Sequence, residues 1–159
     1  MMDEHQQRMC ETQGELFELA AETLPCSSAY FISRFMYSEE AKDMDLIESS
    51  YNHLSPMQRM NGMLKAYGSL TKKKGEVYPR SVLHWMGYIY RAWSILTRKT
   101  SSEIYRKMKA ERLYGFYDVC HTFAPEYAVE RLEEILAQEE GPRPSDYEVY
   151  KAIREGRWH

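Results

Sequence analysis

Apolar residues recur at intervals of three and four through most of this chain, the period of helices that bury one side and wet the other. Between Asp3 and Leu24 that spacing is kept by Met9, Leu16, Phe17, Ala20 and Leu24, and Pro25 closes the segment. Ser27 or Ser28 is placed to cap a second helix carrying Tyr30, Phe31, Phe35 and Met36. Ser38 interrupts the pattern, and the polar stretch Glu39 to Asp45 reads as a short helix or a turn. Ser55-Pro56 is the clearest start signal, a capping hydroxyl followed by a proline whose missing N–H costs nothing in the first turn. Met57, Met60, Leu64 and Tyr67 then form an inward stripe, and Gly68 suits the left-handed C-terminal position.

The longest helical pattern opens after Pro79. Its apolar arc holds Val82, Leu83, Trp85, Met86, Ile89, Tyr90, Ala92, Trp93 and Leu96. The opposite arc holds Arg80, His84, Gly87, Tyr88, Arg91, Ser94, Arg98 and Lys99, with Ile95 as its apolar intruder. Thr100 and Glu103, spaced as a capping box, restart the chain into Ile104, Tyr105 and Met108. Gly115 permits a bend before Phe116 to Cys120, and Ala124-Pro125 opens a helix that turns Ala128, Leu132, Ile135 and Leu136 inward. That helix ends at Gly141-Pro142-Arg143-Pro144, after which Ser145 and Glu148 form a second capping box ahead of Tyr147, Tyr150 and Ile153. These patterns predict an all-α protein: a single compact multi-helix domain of six to eight helices over residues 1–159, built around one long central amphipathic helix. Segments 1–24 and 145–159 are expected as peripheral docking helices.

Composition supports that class. Val, Ile and Thr make only 18 of 159 residues, whereas Leu, Ala, Met, Glu and Lys abound. The net charge of -3 excludes a uniformly basic nucleic-acid coat. Locally the balance is different: residues 72–112 carry +8 between flanks of -6 and -5. A basic middle of this kind attracts nucleic acid or an acidic protein, or is neutralised by the chain's own acidic flanks. No apolar run is long enough to span a bilayer, so no membrane partner is expected. Met1 to Glu18 is polar and acidic, unlike an export signal, and Cys10, Cys26 and Cys120 are too few and too scattered for a disulfide framework. A cytoplasmic location with reduced thiols is the expectation.

No chemistry announces itself. The five histidines lack the three- or four-residue pairing of a helical metal site, and no nucleophile elbow or phosphate-cradling glycine loop is present. No catalytic residue, metal or cofactor is therefore expected, although a site joined from distant residues such as Cys120 is invisible at this level. Thirteen tyrosines are an abundance typical of interfaces. Tyr88, between His84 and Arg91, is the best candidate for an exposed aromatic anchor; the alternative places another helix over this face.

The segment Tyr78 to Leu136, with WMGYIYRAW (Trp85 to Trp93), TSSEIYRKM (Thr100 to Met108) and CHTFAPEYAVERL (Cys120 to Leu132), resembles small uncharacterised helical proteins of Firmicutes. The upstream FISRFMYSEEAKDMD (Phe31 to Asp45) looks like theirs too. They are similar to a domain of unknown function found beside ADP-ribosyltransferase-like proteins in toxin–antitoxin-like gene clusters. The matching motifs are helix-packing signatures, with His121-Thr122 as the one matched polar pair, and no functional residue is carried over. The resemblance implies an antitoxin-like, non-enzymatic module that binds and occludes a toxin or effector. The expected contact surface is Arg80, His84, Tyr88, Arg91, Arg98, Lys99, Arg106 and Lys109. The alternative is a nucleic-acid-binding regulator, or an inhibitor of a nucleic-acid-guided system, using the basic 72–112 segment.

Overall fold

Short polar side chains start most of the helices. In the computed structural model, which describes residues 1–46, 54–68, 70, 74–140, 151 and 153–156, the described residues form helices and no strand. Asp3 and Gln6 cap α1 (Glu4–Thr23) reciprocally. Ser27, rather than Ser28, caps α2 (Ser28–Met36), and Ser38 caps α3 (Glu39–Asp45), which resolves the polar stretch as a helix. Ser55 and Gln58 cap α4 (Pro56–Tyr67) with Pro56 in the first turn. Gly68 ends α4 at φ 73° and ψ -148°, a mirror-image extended conformation open to glycine, instead of the expected left-handed helical one.

The central rod is α5 (Arg80–Thr97), entered from Pro79 and ended by Arg98 at φ 61°. The Ser94 hydroxyl donates to the Lys99 carbonyl at 2.7 Å and fixes the turn that follows. Thr100 accepts the Glu103 amide to begin α6 (Ser101–Lys107). The expected bend near Gly115 divides α7 (Ala110–Gly115) from α8 (Tyr117–Cys120), and these short pieces bring the described helices to nine, above the six to eight expected. The last, α9 (Pro125–Glu140), opens at the predicted proline. Ser145, Tyr147, Glu148 and Tyr150 lie outside the described residues. The chain forms two compact units, Met1–Val129 and Glu130–His159. Within the second, Arg131 and Glu134 pair at 2.7 Å along α9.

In the first unit, α1 is not peripheral, as the pattern suggested. It is the main packing partner of α5. Two glycines make that possible: a Cβ on Gly87 would lie 2.5 Å from the Gln13 carbonyl oxygen, and one on Gly14 would lie 2.8 Å from that of His84. Beside this crossing, Phe17 of α1 meets Phe31 and Phe35 of α2 edge-on at 5.8 and 5.6 Å, and Tyr90 of α5 at 6.4 Å. The buried Tyr90 hydroxyl donates to the Met108 carbonyl at 2.7 Å. Trp93 is fully buried in this core, whereas Trp85 is only half-buried.

The inward face of α4 also differs from the expected stripe. Met60 and Met63 are buried, but Met57 and Tyr67 are exposed. The physical reason is Arg59, which is drawn inward to Glu40 at 2.9 Å and Asp43 at 2.6 Å on α3 and sets the rotation of the helix. None of the three cysteines forms a disulfide, and all are buried. Burial pushes the Cys10 thiol up to about 12 and raises Cys26, which favours the protonated thiol at both. No helix among the described residues is long and apolar enough to cross a membrane.

Candidate functional site

The arc of α5 that reads as basic and outward in the sequence is roofed by α1. Arg91, expected at the contact surface, is wholly buried. Its Nε donates to Gln13 Oε1 at 2.8 Å, its Nη1 to Asp45 Oδ1 at 2.6 Å and its Nη2 to Ser101 Oγ at 3.0 Å. Asp45 also accepts the Ser101 amide at 3.0 Å, and Gln13 Nε2 donates to the Gly87 carbonyl at 3.0 Å. Burial lowers the Arg91 pKa and the Asp45 carboxylate opposes that shift. A guanidinium held by three elements has no face left for a partner, so Arg91 is a structural residue and leaves the expected contact set.

Arg80 and His84 remain at the surface but face carboxylates of α1. Arg80 Nη1 lies 2.8 Å from Glu22 and Nη2 lies 3.5 Å from Glu18. His84 Nε2 lies 2.9 Å from Glu11 Oε2 and Nδ1 lies 3.2 Å from Glu18 Oε1. The acidic N-terminal helix thus neutralises this half of the arc, one of the outcomes left open by the charge pattern.

The other half keeps its charge outward. Arg98, Lys99, Arg106 and Lys109 are exposed around α6 and its flanking turns. Arg98, Arg106 and Lys109 form no ion pair with any described residue, and Arg106 Nε reaches only the Ser102 carbonyl of its own helix at 3.4 Å. Arg98 and Lys99 lie in the turn before α6, Arg106 in its last turn and Lys109 in the turn after it, a short basic ridge along the chain.

Tyr88 is neither a free anchor nor shut away. It is half-buried in a cleft of about 240 Å³ whose walls include Glu11, His84, Trp85, His121 and Phe123. Trp85 meets Tyr117 edge-on at 5.6 Å, and Tyr117 stacks on His121 at 4.3 Å. His121 Nδ1 donates to the Tyr117 carbonyl at 2.7 Å. The Tyr88 hydroxyl is pushed up to about 12, first by burial and then by Cys10, Glu11 and Glu126, so it stays protonated at neutral pH. Of the residues that line the cleft, Tyr88 and His84 follow from the polar arc of α5, whereas Glu11, Trp85 and Phe123 do not. The i, i+3 spacing of Trp85 and Tyr88 is the available signal, and nothing local brings Glu11 and His121 to one cleft.

Among the described residues, no group of three His, Cys, Asp or Glu side chains is arranged to hold a metal ion. No protein family, curated protein or solved structure matches the chain.

Proposed function

We propose that this chain is a protein-binding module without chemistry of its own, acting in an antitoxin-like role by covering a toxin or effector. The observation that supports this reading is the basic ridge of Arg98, Lys99, Arg106 and Lys109, exposed on α6 and the turns that flank it. Steric and electrostatic cover of an acidic surface needs nothing more from the blocker than shape and complementary charge. The contact set contracts accordingly. Arg91 belongs to the core, Arg80 and His84 face α1, and the ridge carries the docking.

The experiment is co-expression of the tagged chain with the product of the gene adjacent to its own, read by co-purification and by rescue of growth. A triple charge reversal, Arg98→Glu, Arg106→Glu and Lys109→Glu, is expected to abolish both while leaving the thermal midpoint near wild type, because these side chains are exposed. Absence of any complex, or a triple variant that binds and protects as well as wild type, overturns the reading. The nucleic-acid alternative draws on the same ridge but loses Arg80 and Arg91 from its cation set. A DNA or RNA complex whose affinity collapses with added salt, with no protein partner recovered, would decide for it.

A further inference from the structure

We propose that the cleft formed by α1, α5 and the turn after α8 binds one ammonium or guanidinium group. The inference is independent of the basic ridge. It rests on the size, lining chemistry and charge of the cleft.

At about 240 Å³ the hollow is smaller than a typical drug-sized pocket, which starts near ~300 Å³. It has room for the head of one side chain or one small organic cation. Trp85, Tyr88 and Phe123 contribute aromatic surface to the walls. Aromatic faces carry negative quadrupole potential and attract cations, with tryptophan the strongest of the three residue types.

The polar groups of the cleft favour a ligand rich in donors. Glu11 gives Oε2 to His84 and its Oε1 has no partner among the described residues. The Tyr88 hydroxyl makes no hydrogen bond to any described residue, which leaves its oxygen able to accept. His121 uses Nδ1 as a donor to Tyr117, so Nε2 of the neutral ring is an acceptor. A guanidinium offers five N–H donors and a flat face for stacking, matching both the acceptors and the rings.

Charge points the same way. Glu11 lines the cleft, Glu18 lies against its His84 wall, and Glu126 is close enough to raise the Tyr88 pKa. The Arg80 guanidinium is directed away from the cleft's Glu11, at Glu18 and Glu22. An anionic ligand would meet carboxylates and ring faces at once.

The test uses the full-length chain labelled with 15N, followed through the Trp85 indole N–H and the ring signals of Tyr88 and His121. The probes are methylguanidinium, tetramethylammonium, N-acetylarginine amide, an arginine-bearing peptide and, as the anionic control, N-acetylglutamate. Saturable shifts confined to the cleft are expected with the cations and none with the anion. Glu11→Gln is expected to weaken binding at least about fivefold, the loss of one partly screened charge interaction. Trp85→Phe, read through Tyr88 and His121, is expected to weaken it while preserving the fold as judged by signal dispersion. Tighter binding of the arginine-bearing peptide assigns the cation to a protein side chain, whereas binding of only the free cations assigns it to a small amine. No saturable shift with any cation at tens of millimolar, equal binding of N-acetylglutamate, or indifference to Glu11→Gln overturns the proposal. The triple ridge variant is expected to bind these cations like wild type, so this inference and the proposed function fail separately.

Discussion

Gly87→Ala tests the packing that determines which side of α5 meets solvent. The added Cβ would sit 2.5 Å from the Gln13 carbonyl oxygen and 2.8 Å from the Gly14 Cα, both backbone atoms that cannot rotate aside. Reaching ordinary contact near 3.4 Å requires α1 and α5 to separate by about 0.9 Å along a packed seam. Overpacking against a rigid neighbour costs about 3 kcal/mol, the upper end of its usual range. Weakening the bond from Gln13 Nε2 to the Gly87 carbonyl, 3.0 Å long, removes ~1 kcal/mol more. Alanine's better helix propensity returns about 1 kcal/mol. The net loss of about 3 kcal/mol corresponds to a thermal midpoint lowered by about 6–12 °C in a chain of this size. Circular dichroism melting and urea titration read it directly. Gly115→Ala is the control: no atom lies within 4 Å of its added Cβ, so its midpoint is expected to hold or rise slightly. A Gly87→Ala protein that melts at or above wild type would refute the α1–α5 glycine crossing and reopen the outward reading of this arc.

Three further outcomes are expected. Arg91→Met removes the counter-charge of Asp45, whose side chain is only 10% exposed, and should lower stability by about 3–5 kcal/mol in urea titration; an unchanged midpoint would mean that Arg91 faces water. Adding Asp45→Leu to that variant should recover part of the loss, since it removes the carboxylate left without a counter-charge. At alkaline pH, Tyr78 and Tyr88 both have folded pKa values raised to about 12 from an ordinary 10.0, with burial as the leading cause. Between those values the unfolded chain binds fewer protons than the folded one, so stability present below pH 10 is lost as pH rises toward 12. Urea titrations across that window, with tyrosinate absorbance as the monitor, should show the decline for wild type and a shallower one for Tyr88→Phe; equal slopes would place the Tyr88 hydroxyl in bulk water.

Local interactions were legible in the amino-acid order. Ser55-Pro56 and Thr100 start helices because a cap depends on residues within one turn, and the period of the apolar positions identifies a helix whatever it packs against. The all-α class and the long rod after Pro79 follow from those two signals. Which side of that rod is covered does not. A charged arc reads as solvent-facing on a helical wheel, yet Gln13, 78 residues from Arg91, and Asp45, 46 residues away, satisfy its guanidinium inside the protein. Gly14 and Gly87 carried the hint, since a glycine within a helical pattern often marks close backbone approach, but either alone also reads as punctuation. Summed charge over a window averages along the chain, whereas Coulomb energy depends on distance in space. Folding placed the acids of α1 against the first half of α5 and left the cations around α6 at the surface. The amino-acid order determined the helices and their caps, through forces that act over a few residues; only the tertiary structure decided which charges meet one another and which meet the solvent.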